Sequence, residues 1–96
     1  MPKATLAFHD KQVLADGAIV EMKIWRLPQV LPGSEHSFKY SLFYGYPGWR
    51  LVGYDNESGK SDHRHWVEEE SRYRFTTVDQ LIDDFLADVR RARKRT

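Results

Sequence analysis

The chain has 96 residues, a formal net charge of +1 and no cysteine. This length fits one domain with a small core, and the near balance of charge does not by itself indicate a nucleic-acid-binding protein. The lack of cysteine excludes disulfides, thiolate metal sites and cysteine nucleophiles. The sequence shows neither an apolar signal segment nor a stretch long enough to span a membrane, so we expect a cytoplasmic protein with no membrane partner.

The first half of the chain predicts β-strands. KATLAFHD is short and partly alternating, and it is predicted as the first strand. The turn signal Asp16-Gly17 precedes AIVEMKIWRLP, in which Val20, Met22 and Ile24 fall on one face. This period of two is typical of a half-buried strand. Residues 30–36 are rich in proline, glycine and serine and are predicted to form a loop.

The middle of the chain predicts further antiparallel strands. HSFKYSLFYGYPG alternates again, and Pro47-Gly48 predicts a tight turn into WRLVGYDN, so these two segments should form a hairpin. NESGKSD is predicted to form the next turn. HRHWVEE is predicted as the returning strand, and SRYRF as a short continuation or an extra edge strand.

The last segment predicts an amphipathic helix over residues 77–93. Thr77 with Gln80 three residues later matches a capping box, and acidic residues near the start and basic residues near the end complement the helix dipole. The apolar stripe consists of Val78, Leu81, Ile82, Phe85, Leu86 and Val89. The sequence therefore predicts one α+β domain over residues 1–96. It has a small antiparallel sheet of five or six strands within 3–75, a C-terminal helix on one sheet face and a basic tail at 90–96.

Two histidines in HRHW could carry acid–base chemistry. In an extended chain His63 and His65 point to one side while Arg64 points to the other. Imidazoles exchange protons near neutral pH, so such a pair can serve as base and acid in one reaction cycle. Lys60 and Arg64 would bind phosphate and stabilise a phosphorane-like transition state. Cleavage of RNA by attack of the RNA's 2′-hydroxyl on the adjacent phosphate needs an acid, a base and positive charge, but no metal.

Neighbouring residues could support the two histidines in acid–base chemistry, or they could form a different kind of site with them. Asp62 or Asp55 would orient an imidazole, whereas Asn56 and Gly59 would shape the turn. The same histidines could instead form a metal site with Asp55 or Asp62 and with His36 or His9 from elsewhere. Lys60 and Arg64 would repel a cation there, so we expect no metal and no other cofactor. An exposed hairpin with mixed charges remains the simplest alternative.

Aromatic residues and cations elsewhere suggest contacts with RNA. Lys39, Tyr40 and Arg50 lie in or beside a run of aromatic residues that could stack on bases. The alternative is that these aromatic residues fill the core on one face and pair across strands on the other. Arg91, Arg93 and Lys94 in the tail could contact the phosphate backbone, or they could form an ordinary solvated helix end.

Nearly the whole chain resembles a known family. YDNESGKSDHRHW, preceded by HSFKYSLFY and followed by YRFTTVDQLIDDFLADV, resembles the TumE-like toxins of bacterial and archaeal type II toxin–antitoxin systems. The central block is the specific part, and the helix motif alone would be weak. The family block usually reads G-K-G-D-H-R-H. Here Ser61 replaces the second glycine, a change that affects the turn and removes no reactive group.

The resemblance implies a small ribonuclease-like toxin that is held inactive by a DNA-binding antitoxin encoded beside it. The family's block falls on Asp55, Asn56, Gly59, Lys60, Asp62, His63, Arg64 and His65. It does not say which of them performs the chemistry. Two other functions stay open: a non-catalytic module that binds RNA or a protein, and a metal-dependent phosphodiesterase. Exposed sheet edges would also allow a homodimer.

Overall fold

The computed structural model describes residues 3–30, 35–56 and 61–94. Six strands form one antiparallel sheet in which each strand pairs with its neighbours in chain order, and a single helix follows. The elements are β1 (Thr5–Val13), β2 (Ile19–Arg26), β3 (Phe38–Tyr46), β4 (Trp49–Asp55), β5 (His63–Trp66), β6 (Glu69–Arg72) and α1 (Val78–Lys94). The predicted α+β class is confirmed.

Short turns connect most of these strands. Gly17, with φ of 86°, closes the turn between β1 and β2, and Gly48, with φ of 76°, follows Pro47 between β3 and β4. Both glycines occupy left-handed conformations that residues with a side chain adopt only with strain. The sequence signals for these two turns, Asp16-Gly17 and Pro47-Gly48, therefore identified them correctly.

The segment after β5 differs from its prediction. HRHWVEE is not one strand, because the chain reverses at Val67 and Glu68, and β6 starts at Glu69. Val67 has a φ of 55°, which is unusual for a β-branched residue, and its amide donates a hydrogen bond to the Leu51 carbonyl at 2.7 Å. Valine and glutamate carry no turn signal, so the sequence pattern missed this reversal. Residues 73–75 of the predicted SRYRF strand lie outside β6.

One face of the sheet forms the core. Alternate residues of β2, β3 and β4 point toward α1 and are almost fully buried, because the two-residue period of a strand turns them all to one side. They are Val20, Met22, Ile24, Tyr40, Leu42, Tyr44, Val52 and Tyr54. From the helix, Leu81, Phe85 and Val89 pack against them.

The helix begins as its sequence indicates. Thr77 accepts a hydrogen bond through its hydroxyl oxygen from the Gln80 amide at 3.1 Å. The Gln80 side chain donates forward to Asp84 at 2.7 Å, so the reciprocal half of a capping box does not form. The helix packs against β4, which leaves the opposite sheet face uncovered by any described element. No helix in the described part of the chain is long and apolar enough to cross a membrane.

Candidate active site

The sheet face that points away from α1, here called the open face, carries polar and ionisable residues. One row of these residues crosses β2 to β5, and each member is the register partner of the next: Lys23, Ser41, Asp55 and His63. His65 lies on the same face, opposite Gly53 of β4 and Glu70 of β6. The alternation within β5 thus turns both imidazoles away from the core.

Glu70 lies between the two imidazoles. One of its carboxylate oxygens is 3.3 Å from Nδ1 of His63, and the other is 3.6 Å from Nδ1 of His65. The shorter contact favours the His63 tautomer that carries its proton on Nδ1. Nε2 of His63 has no hydrogen-bonding partner among the residues described, and it is therefore the nitrogen that can accept a proton from a ligand.

Arg50 and Asp55 hold His65. The Arg50 guanidinium is 3.0 Å from Nδ1 of His65, which must accept this hydrogen bond because a guanidinium only donates. Nε2 of His65 then carries the proton, and it lies 3.4 Å from the Asp55 carboxylate. Arg50 also approaches Asp55 at 3.8 Å. These residues, with His63 and Glu70, form what we call the histidine cluster.

Gly53 makes room for the Arg50 side chain. A β-carbon at position 53 would lie 2.7 Å from Cδ of Arg50. Because Gly53 has no side chain, the aliphatic part of Arg50 can lie over position 53, and a larger residue there would make the Arg50 side chain shift. This arrangement places the Arg50 guanidinium beside the imidazole of His65.

Arg64 lies on the other side of the sheet. Its Nε donates to Asp88 of α1 at 2.7 Å and to the Tyr54 hydroxyl at 3.2 Å. Tyr54 also donates to Asp88, at 2.6 Å. Burial acts to raise the pKa of Asp88, but the hydrogen bonds from Arg64 and Tyr54 outweigh it and hold that pKa below the usual range. Arg64 thus joins β5 to the helix and does not reach the histidine cluster.

Asp62 forms a second network at the edge of the core. It is 6% exposed and accepts hydrogen bonds from the Tyr40 hydroxyl at 2.6 Å and from Nε2 of His36 at 2.7 Å. Nδ1 of His36 accepts from the Phe38 amide at 3.1 Å, which is consistent with a proton on Nε2. Burial, strengthened by the bond to Asp62, raises the pKa of Tyr40 far above its usual range. Asp62 therefore orients His36 and contacts neither His63 nor His65.

The other predicted site residues are spread over the molecule. Lys39 and Arg50 lie on the open face, whereas Tyr40 is buried in the core. Arg91 lies over the Trp66 ring, 4.6 Å from its centroid, and Arg93 donates to the Tyr44 hydroxyl at 3.1 Å. These two arginines and Lys94 belong to α1, which lies on the sheet face opposite the histidine cluster. Lys60 and Gly59 lie outside the described residues.

Asn56 has a defined structural contact. Its side-chain oxygen accepts from the Tyr40 amide at 2.9 Å, and its side-chain nitrogen donates to the Phe38 carbonyl at 2.8 Å. This buried amide extends the pairing between β3 and the end of β4. It holds the backbone of Asp55, and hence one side of the histidine cluster, at a fixed position.

Sequence reasoning did not place Glu70 in the site. The signal was weak because the pairing of β6 depends on the turn at Val67, which carries no recognisable turn residues. The sequence pattern predicts Arg50 as an RNA-contacting residue, and its contact with His65 uses the room left at Gly53. Within the described ranges, no group of three or more histidine, aspartate or glutamate side chains is arranged to hold a metal ion.

The chain is a small α+β protein, a six-stranded meander with one helix. Its open face bears a candidate acid–base site of two histidines, two carboxylates and an arginine. The sequence profile of the family described as Toxin TumE matches residues 3–93. The chain therefore belongs to the TumE toxin family, and membership of a toxin family implies an antitoxin partner. No curated protein and no solved structure matches the chain significantly.

Proposed function

We propose that this toxin is a metal-independent endoribonuclease of a type II toxin–antitoxin system. The observation that supports this proposal most directly is the contact between His63 and Glu70 on the open face. A carboxylate that holds Nδ1 of an imidazole fixes the orientation of the ring and favours the tautomer in which Nε2 is unprotonated. Nε2 of His63 is then suited to take a proton from the 2′-hydroxyl of a bound RNA.

The reaction proceeds by transfer within the RNA strand. The 2′-oxygen loses its proton to Nε2 of His63 and forms a bond to the adjacent phosphorus. The bond between this phosphorus and the 5′-oxygen of the next nucleotide breaks, and that oxygen takes a proton from His65. The products are a 2′,3′-cyclic phosphate and a free 5′-hydroxyl. No oxidant, reductant or further reactant is needed.

Arg50 supplies the positive charge that this reaction needs. Its guanidinium now donates to His65 and faces Asp55, but a phosphate would be the stronger bidentate partner. When Arg50 turns to the phosphate, Nδ1 of His65 becomes free to take a second proton, and Glu70 lies 3.6 Å from it. His65 can then act as the general acid while Arg50 stabilises charge on the phosphoryl oxygens.

The proposed activity is tested with purified toxin and RNA in the presence of EDTA. We expect cleavage to continue, with products that end in a 2′,3′-cyclic phosphate and begin with a 5′-hydroxyl. The matched control is the same RNA with a 2′-deoxy residue at the cleaved position, which should stay intact. Dependence on a divalent ion, or products with a 5′-phosphate, would instead support the metal-dependent phosphodiesterase.

A glycine substitution tests the placement of Arg50. Gly53→Ala puts a methyl group 2.7 Å from Cδ of Arg50, so the Arg50 side chain must shift, and we expect kcat/KM for RNA cleavage to fall about 10- to 100-fold, as misplaced catalytic groups commonly cause. The double variant Gly53→Ala/Arg50→Ala should lose no more activity than Arg50→Ala alone, because both changes act through one side chain. Additive losses would show that Gly53 acts in another way.

The proposal extends to partners and location. We place the toxin in the cytoplasm, with RNA as its substrate and a DNA-binding antitoxin encoded beside it as its inhibitor. Among the described elements β1 pairs only with β2 and β6 only with β5, so a second copy of the chain would add to the sheet at one of these two outer edges in a homodimer. Size-exclusion chromatography with light scattering would decide between monomer and dimer.

A further inference from the structure

A groove opens on the open face beside the histidine cluster. It has a volume of about 450 Å³, and its lining includes Lys23, Trp25, Lys39, Ser41, Asp55 and Asn56. Asp55 belongs to both the groove and the histidine cluster. The groove therefore adjoins the proposed site of cleavage at Asp55.

The sheet register sets the direction of the groove. Lys23, Ser41, Asp55 and His63 form one row across four adjacent strands. Trp25 and Lys39 pair with each other two residues farther along β2 and β3. Strand spacing and residue rise place Trp25 roughly 15 Å from His63 along this face.

Trp25 is the aromatic residue of this groove. Its neighbour Ile24 is buried in the core and so is Tyr40, the residue after Lys39, so the alternation turns Trp25 and Lys39 outward. The Trp25 side chain lies against the sheet and keeps part of its surface exposed. An indole beside an ammonium group is the usual arrangement for stacking a base while a cation binds the adjoining phosphate.

The lining of the groove carries two lysines, Lys23 and Lys39, and one carboxylate, Asp55, which the Arg50 guanidinium approaches at 3.8 Å. Glu21 lies next to Lys23 at 3.8 Å and is held by His9 at 3.0 Å, whereas Lys39 makes no ion pair with any residue in the described ranges. The hydrogen bond from His9 lowers the pKa of Glu21, so this carboxylate stays ionised and compensates part of the positive charge. Lys39 lines the same groove as Trp25, and its ammonium group is available for contact with phosphate.

We propose that this groove binds single-stranded RNA by stacking one unpaired base on Trp25, upstream or downstream of the bond that the histidine cluster cleaves. In a duplex the faces of each base are occupied by the neighbouring base pairs, so only an unpaired base can lie on this indole. The inference rests on the proposed function for the position of the cleaved bond. It adds the substrate class, which is unpaired RNA.

Binding is measured separately from cleavage. The probe is a 2′-O-methylated oligoribonucleotide of about ten nucleotides, which lacks the attacking hydroxyl and covers one such site. We expect Trp25→Ala to raise its Kd about tenfold, the effect of losing one stacked base. Trp49→Ala is the matched control, because Trp49 is exposed at the turn between β3 and β4 and stacks on Tyr46 instead.

A second variant protects the test against a folding defect. Trp25→Leu keeps apolar bulk on the sheet but cannot stack, so it should bind as weakly as Trp25→Ala while unfolding near the wild-type temperature. The same oligonucleotide annealed to its complement should bind weakly, and Trp25 should not affect its Kd. Equal Kd values for the Trp25 and Trp49 variants, Trp25-dependent binding of the duplex, or no binding by the wild type would overturn the proposal.

The outcomes separate this proposal from the nuclease itself. If binding depends on Trp25 but the protein cleaves no RNA, the nuclease proposal fails and the proposal of base stacking in the groove stands. If neither Trp25 variant changes the cleavage of single-stranded RNA, the proposal of base stacking in the groove fails and the nuclease proposal stands.

Discussion

His63→Ala is expected to reduce the rate of RNA cleavage about 10²- to 10⁴-fold, the range commonly lost with a general base. Growth arrest on expression should disappear with it. The side chain is on the open face and makes its one described polar contact with Glu70, so its removal should change stability little. Single-turnover cleavage rates and thermal unfolding, measured on the same preparation, check both expectations.

The chain offers a matched control for this substitution. His9 lies on the same face, at the register position of Lys23, and binds Glu21 at 3.0 Å, far from the histidine cluster. His9→Ala should keep the wild-type cleavage rate. Glu70→Gln should fall between the two, with a loss of about 10- to 100-fold, because Glu70 positions His63 without touching the substrate. Wild-type rates in the His63 variant would leave the open face without a catalytic role.

The strands and the helix could be predicted because their signals are local. Alternating residues such as Val20, Met22 and Ile24 lie within one strand, and each points to the core for the same steric reason. The helix stripe works in the same way over a period of 3.6 residues. The reversal at Val67 was not predictable, because its backbone is held at positive φ by the surrounding sheet and not by a turn residue.

In the candidate site, too, the local features could be predicted and the long-range contacts could not. That His63 and His65 share a face, with Arg64 opposite, follows from alternation within four residues of β5. Which residues contact them depends on register between distant strands, and sequence spacing does not give it. Glu70 reaches the cluster through β6, whereas Asp62, only one position before His63, turns to His36 and Tyr40 instead.

The network around Asp88 carries the largest stability effect that we expect. Asp88→Asn should lower the free energy of unfolding by about 2–3 kcal/mol, because it leaves Arg64 near the core without a counter-charge. The value is below that for a fully buried pair, since the Arg64 side chain keeps 27% of its surface exposed. Urea denaturation measures it, and Asp83→Asn on the exposed side of α1 is the control, with a change within about 0.5 kcal/mol.

The dependence of this effect on pH tests its cause. The pKa of Asp88 is lower in the folded protein than in the unfolded chain, so its stabilising contribution is complete above the ordinary carboxyl pKa and is lost as the pH falls through the folded value. The difference in stability between wild type and Asp88→Asn should therefore be constant above roughly pH 5 and shrink in more acidic solution. A difference that does not change with pH would mean that packing, and not charge, is lost. At pH 7 and low temperature, where the variant stays folded, RNA cleavage should persist, because Arg64 and His63 lie on opposite faces of the sheet.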